Sequence, residues 1–421
     1  MGSIVVLLVI LGCAAYQYFK GTIAKGVVTI IVALCGAIVA FAFFEPLSGF
    51  FLDKGTNSRF PALVPYAQPL CFGLIFILAF GVLQTAAMQL MREPIDFGQM
   101  PERVGRVISG VLLGVVLSGL LLTVMGMAPL PKGFPYERFD DRNPKPDEPK
   151  KAVPNVDGLM TGWFSMISKG SFSGLSKPKS FAVLHPNYLD QLYLNRNGSS
   201  DSVSAVARKD CIEVLPKGGY WYAPDDLKDA EGQPLAAKSG HKLMVVRVGL
   251  RKSGLADAGS FTFSQLRFVC KPKGLSEAAA VGQGENVYPL GYLSGRSTIE
   301  NKRLTEVIKV SSDDFKQGET KRWIDFVINV PSGSEPVMVQ FKLNAVAELS
   351  SLAPADQIPA PAPFVQSAQQ KKGANRSGQN ETSGRRQGAN RRGSGDQQGS
   401  GLSPVGQMLT GGALEGDQPL Q

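Results

Sequence analysis

Within its first 128 residues the chain carries four long apolar stretches, at about 4–19, 22–44, 67–91 and 107–127. The hydrocarbon core of a bilayer is about 30 Å thick and a helix rises 1.5 Å per residue, so a span needs roughly 20 apolar residues. The second, third and fourth stretches meet that length. The first is short and ends in Tyr16, Gln17 and Tyr18, a polar-aromatic end suited to the membrane–water interface. Backbone groups in lipid must be paired within their own segment, so these stretches are read as helices. Residues 1–128 are therefore predicted to form an all-α four-helix membrane bundle.

The segment "VILGCAAYQYFKG" at 9–21 also admits a different reading, a lipoprotein signal with Cys13 as the lipidated residue. A secretory signal carries its positive charge before the apolar run. Here "MGS" carries none, and the charge follows as Lys20. The segment is better read as a first span with its N-terminus outside. Lys20 and Lys25 flank the first connection, and Arg92, Arg103 and Arg106 surround the third. In the second, Lys54 and Arg59 are balanced by Glu45 and Asp53. Lys and Arg in short loops favour the cytoplasm, so both termini are expected to be extracytoplasmic.

Arg106, Gly110, Gly114 and Ser118 recur every four positions, on one helix face. Small faces allow close backbone approach between helices in lipid, so this face is read as packing rather than pore lining. It serves within a bundle or between copies as a homo-oligomer. Ala33, Ala37, Gly81 and Thr85 are similar partners on the other spans. No Asp or Glu lies deep in a span, which argues against an ion-coupled transporter.

"YFKGTIAKGVVTIIVALCGAIVAFAFF" and "PERVGRVISGVLLGVVLSGLLLTVM" resemble the colicin V production protein family. In that family a basic residue and Gly follow the first helix, as Lys20 and Gly21 do here. A basic residue and a Gly-xxx-Gly face open its last helix, matched by Arg106, Gly110 and Gly114. The resemblance covers about residues 1–130, and "AKG" at 24–26 departs from the family's more basic second-helix start. It implies a multi-pass bacterial inner (cytoplasmic) membrane protein linked to colicin V production and envelope processes, with no catalytic residues to carry over.

Residues 129–157 have a proline every few positions and read as a semi-extended linker. Leu159, Trp163 and Ile167 then stand at helical spacing, a stripe expected to dock on the following domain or lie on the membrane. Residues 158–352 are read as one β-rich domain, in which the period becomes two from about 180 to 350, as in "KLMVVRVGLR", "WIDFVINVPSG" and "PVMVQFKLNAV", the last two joined by a hairpin-like "PSGSEP". The expectation is an extracytoplasmic antiparallel β-sandwich, similar to immunoglobulin-like domains.

Chemistry is sparse in this region. A serine-hydrolase triad needs a base beside its nucleophile, yet the only histidines are His185 and His241. "GYLSG" at 291–295 lacks the elbow spacing. Both histidines read as surface or turn residues. Asp225, Asp226 and Asp229 read as a solvated loop, and "YWYAPDD" as core plus rim rather than a sugar platform. No cofactor or metal site is expected. Cys211 and Cys270 could form a disulfide in an oxidising compartment, or remain buried thiols.

Residues 353–421 are Gly-, Gln- and Arg-rich and are expected to be a disordered tail. Lys371, Lys372, Arg376, Arg385, Arg386, Arg391 and Arg392 would suit an anionic envelope polymer or lipid headgroups rather than nucleic acid, of which there is little to bind outside the membrane, and a plain solvated linker is an equal reading. The functional expectation is a non-enzymatic scaffold or assembly factor, embedded in membrane lipids, for envelope, toxin-production or export processes, with unidentified envelope or secretion proteins as partners. The alternatives are a transporter or channel component and, disfavoured without a triad, a membrane-anchored outer hydrolase.

Overall fold

The computed structural model describes residues 1–52, 61–91, 98–169, 181–200, 202–275 and 283–366. The tail cations from Lys371 to Arg392, with Lys54, Arg59 and Arg92, lie outside the described residues. Four helices are long and apolar enough to cross a membrane. They are α1 (Gly2–Lys20), α2 (Ile23–Leu52), α3 (Ala67–Leu90, entered through a 3₁₀ turn at Pro61–Tyr66) and α4 (Gln99–Met127). Helix α2 runs two turns past its expected end, and α4 begins two turns earlier than its apolar stretch.

The Gly110–Gly114 face of α4 lies directly against α1. A Cβ on Gly110 would stand 2.6 Å from Ala14 Cα, and one on Gly114 2.6 Å from Ile10 Cα. Ser118, on the same face, is fully buried and donates to its own helix at Val115 O. Arg106 pairs with Glu102 at 3.1 Å, and Glu102 in turn accepts from the Ile23 N–H at the start of α2. The glycine after Lys20 has a local reason as well. Gln17 folds over Gly21 and donates to Thr22 O, so a Cβ there would overlap the Gln17 amide. The face proposed for helix packing is thus covered by α1 of the same chain, leaving no room on it for a second copy.

The segment 129–155 is not a free spacer. Gly2 N donates to Pro135 O at 2.7 Å, and Arg138, Phe139 and Ala152 are buried. Its aromatic and charged residues find fixed partners, which overrides the extended tendency of its prolines. Helix α5 (Val156–Lys169) packs on α4 through Val156, Met160 and Phe164, over Gly119. The buried stripe is offset from the one read in the sequence, for Leu159 is 54 % exposed. Two further helices follow, α6 (Phe181–Leu184) and α7 (Tyr188–Asn197).

Twelve strands follow among the described residues, with one short helix at Leu255–Ala258 between the third and fourth. In order they are β1 (Ile212–Val214), β2 (Tyr220–Tyr222), β3 (His241–Arg251), β4 (Ser260–Thr262), β5 (Leu266–Pro272) and β6 (Glu285–Val287). Then come β7 (Pro289–Leu293), β8 (Ile299–Asn301), β9 (Val307–Lys309), β10 (Lys321–Pro331), β11 (Ser334–Phe341) and β12 (Ala345–Glu348). One sheet has the order β1-β3-β10-β7-β8 with β2 also on β3; a second has β12-β11-β5-β6; β4 and β9 pair separately. All these pairings are antiparallel.

Alternate residues of the two larger sheets meet in one core: Val246, Val248, Ile324 and Phe326 from the first, Phe268, Val339 and Phe341 from the second. The β10–β11 connection is therefore not a paired hairpin. The two strands leave its turn into different sheets, because each buries its apolar face from opposite sides of that core. Cys211 and Cys270 are separate, buried, free thiols rather than a disulfide. Cys211 precedes β1 of the first sheet and packs under Gly254, while Cys270 sits on β5 of the second.

The outer face of the first sheet is covered too. Trp221, Val245, Leu293 and Val327 form a second small core, so Trp221 is an interior residue. Across β3 and β10, Arg247 grips the fully buried Asp325 in two parallel bonds of 2.6 and 2.7 Å, with its guanidinium over Trp221. This pair also anchors the chain after β12. Arg247 donates to Ala360 O, Asp325 accepts from Ala362 N, and Phe364 is fully buried. Packed structure thus extends to residue 366, past the expected boundary at 352. A proline-rich strap needs no sheet pairing when fixed polar groups and an aromatic plug hold it.

Candidate functional site

Helix α2 is free of charge from Gly26 to Phe44, then ends that run with Glu45. At 1.5 Å per residue, the 20-residue interval from Lys25 to Glu45 is about 30 Å, the hydrocarbon thickness. Glu45 thus stands where a spanning α2 would leave the bilayer, with Ser48, Gly49 and Leu52 continuing into the extramembrane part, where they are buried.

His185 closes on it from above. The residue follows α6, where its N–H donates to Phe181 O, and its ring is 3 % exposed between Phe181 and Tyr188. Its Nε2 donates to Glu45 Oε1 in a short contact, and its Nδ1 faces Gln191 Oε1 at 2.8 Å. Both ring nitrogens are thus engaged, and Arg267 Nη2 also lies 3.5 Å from Nδ1. The sequence-based expectation of a surface or turn histidine is overturned. Pro186 does set a turn, but the aromatic neighbours of α6 and α7 carry the ring inward against α2.

The chain of contacts continues into the second sheet. Gln191 Nε2 donates to Gln340 Oε1 on β11 at 2.5 Å, and Arg267 Nε on β5 donates to the same oxygen at 2.5 Å. Arg267 also bonds Leu184 O and Asn286, and Asn286 bonds Pro186 O. Burial pulls the Arg267 guanidinium down to about 10, against the favourable fields of Tyr288, Glu45 and Tyr188. Buried polar groups of this kind are costly unless every member is paired. The network therefore holds one mutual geometry of α2, α7, β5 and β11.

A second polar cluster ties α4 to the same region. Arg196 donates to Met125 O and Lys132 O, satisfying a carbonyl of the last turn of α4, and stacks on Tyr193. Arg138 pairs with Asp190 at 2.6 Å and donates to Tyr136, which donates to the fully buried Asp157. Burial, with Tyr193 and Asp157 nearby, raises the Tyr136 hydroxyl well above its ordinary range, so it stays a donor.

Beside Glu45 and His185 lies a cavity of about 890 Å³. Phe41, Phe164, Phe181, Leu184 and Leu343 form its apolar wall, and Glu45, Lys209, Gln340, Asn344 and Glu348 its polar one. Phe41 and Phe164 stack at 4.5 Å, with Phe181 edge-on to both. A smaller space of about 230 Å³ lies on the other side of His185, lined by Arg138, Lys151, Asn155 and Asp190.

The other candidates of the sequence stay apart from this site. His241 bonds Ser239 O in the turn that opens β3. Asp229 closes its own loop by accepting from Glu231 N and Gln233 N. No group of His, Cys, Asp and Glu that could hold a metal ion occurs among the described residues. Lys20, Gly21, Arg106 and Gly110 lie at the far end of the bundle. Glu45 reads in the sequence only as a charge of the second connection, whereas it lies within α2, and Gln340 carries no sequence signal; the first carboxylate after 19 uncharged residues is the mark that points to Glu45. No family model, curated protein or solved structure matches the chain.

Proposed function

We propose that this chain is a non-enzymatic scaffold or assembly factor of the bacterial inner membrane, resembling the colicin V production proteins. In this reading α1 to α4 span the bilayer, both termini are extracytoplasmic, and the β-rich region is an outward binding domain of the immunoglobulin-like kind. The observation that carries it is a continuous core. Phe41, Phe44 and Phe72 of the bundle pack in one cluster with Phe164, Phe181, Tyr188 and Leu192. A rigid mount of this kind suits a protein that presents a surface at a set height and angle above the membrane, in envelope, toxin-production or export processes.

The test is crosslinking of the full-length protein in its native membrane, followed by mass spectrometry. A stable complex with envelope or secretion proteins supports the scaffold. Conductance by the purified protein in liposomes, with no crosslinked partner, supports the channel alternative instead.

A further inference from the structure

Helix α5 carries no charge from Gly158 to Ser168, between the buried Asp157 and Lys169 at its end. Its Val156, Met160 and Phe164 pack on the bundle. The opposite face carries Leu159, Gly162, the half-buried Trp163 and Met166, with Leu159 54 % and Met166 63 % exposed. A surface helix in water turns polar and charged residues outward. Here the outward residues are a leucine, a tryptophan and a methionine.

The packed face fixes the height of α5. A Cβ on Gly119 would stand 2.5 Å from Val156 O and from Met160 Cγ. Gly119 lies eight residues, about 12 Å, before the end of α4 at Met127. Val156 shares a cluster with Val6 of α1, whose neighbours Ile4 and Leu7 are exposed. Further along α5, Phe164 stacks on Phe41 at 4.5 Å, four residues, about 6 Å, before Glu45. Phe41 also meets Phe72 of α3 at 4.8 Å, between the exposed Leu70 and Leu74. The bare face of α5 therefore stands at the height of the exposed apolar side chains of α1 and α3. Lys151 ahead of α5 and Lys169 at its end are exposed, placed for their long side chains to reach headgroups.

We propose that α5 lies in the membrane interface, its face of Leu159, Trp163 and Met166 seated among the acyl chains of the leaflet nearest the β-rich region and sunk deepest at Leu159. Such a helix needs an apolar face and flanking cations, both present here. The inference rests on the spanning bundle of the proposed function and adds a lipid contact outside its four helices. Ser168 Oγ accepts from Ala182 N of α6, and Phe164 meets Phe181. The lipid-seated helix thus leads into the segment that carries His185 onto Glu45, and lipid packing around α5 is coupled to that contact.

The test is paramagnetic resonance of the full-length protein in vesicles of phosphatidylethanolamine and phosphatidylglycerol, with single nitroxides on an otherwise cysteine-free chain. Collisions with oxygen, which concentrates in lipid, are compared with collisions with a water-soluble nickel chelate. Leu159→Cys and Met166→Cys are the probes. Ile77→Cys, exposed midway along α3, marks lipid, and Glu231→Cys, in an exposed loop of the β-rich region, marks water. Oxygen should dominate at Leu159 and Met166 as at Ile77, with Leu159 the deeper by up to about 10 Å, the length of seven helical residues. Chelate collisions at both probes equal to those at Glu231 overturn the proposal, and leave the spanning bundle standing if Ile77 stays oxygen-rich. Low collision rates with both reagents mean that protein covers the face, a second copy or a partner, and overturn it as well. Met166 deeper than Leu159 contradicts the stated seating. Chelate access at Ile77 ends the spanning reading and this inference with it. If Leu159→Cys fails to fold, Gly162→Cys on the same face, where a Cβ meets nothing within 4 Å, takes its place.

Discussion

Glu45, at the end of the uncharged run of α2, accepts a hydrogen bond from His185, 140 positions later in the chain. Helix α2 and the β-rich region are thereby joined through one carboxylate and one imidazole, which Gln191 and Gln340 extend into β11.

Removing the ring should cost more than removing the charge. His185→Ala leaves Gln191 Oε1 and Glu45 without their partner, and a lost bond to a charged group in such a setting is worth roughly 1–3 kcal/mol. Glu45→Gln keeps an acceptor for Nε2 and should cost less. Unfolding midpoints in detergent check the order, and a double-mutant cycle should give a non-zero coupling between the two positions. Equal effects that simply add would contradict the contact.

The glycines of α4 and α3 should respond oppositely. Gly114→Leu forces α1 away from α4, since its Cβ already lies 2.6 Å from Ile10 Cα. Overpacking of this kind costs about 1–3 kcal/mol. Gly81→Leu on α3 meets nothing within 4 Å and should be tolerated. Expression level and melting temperature of the two variants, read side by side, test the assignment.

Lys342 should make stability rise with pH. It is fully buried at the end of β11, where its Nζ donates to Asp257 O and Ser260 O. Burial pulls its ammonium down to about 7 from the ordinary value of 10.5, with Cys211 and Asp257 opposing. Between those pH values the unfolded chain holds a proton that the folded chain does not, so stability increases from pH 7 toward 10.5 and is lowest below 7. Lys342→Met removes this slope. The wild-type minus variant difference in melting temperature, followed from about pH 6 to about pH 10, should climb.

Asp325 should hold the strap at 355–366. Asp325→Ala leaves the Arg247 guanidinium buried without its carboxylate, a loss of about 3–5 kcal/mol in buried pairs. It also frees Ala362 N. Limited proteolysis should then cut between residues 355 and 366 in the variant and spare wild type.

The four long apolar helices were legible because lipid would impose one rule on every residue of a span: apolar, uncharged and about 20 long. Gly110 and Gly114 were legible by spacing alone. The strands of "KLMVVRVGLR" and "WIDFVINVPSG" showed their period of two, but the second coat over β3 hid in Trp221 and the strap, which pair at long range. His185 was misread for the same reason. A histidine before a proline signals a turn locally, and nothing local shows the carboxylate that waits on α2. The packed course of 129–155 likewise depends on Asp190 and Tyr193, far along the chain.

The central claim is a spanning bundle with the β-rich region outside, and single engineered thiols on an otherwise cysteine-free chain read it most directly. Glu231→Cys puts a thiol in an exposed loop of the β-rich region, and Arg103→Cys puts one at the opposite end of the bundle, also exposed. In intact spheroplasts a membrane-impermeant maleimide should label the Glu231→Cys variant at once and the Arg103→Cys variant only after permeabilisation. Labelling of Arg103→Cys but not Glu231→Cys from outside would invert the topology and contradict the claim.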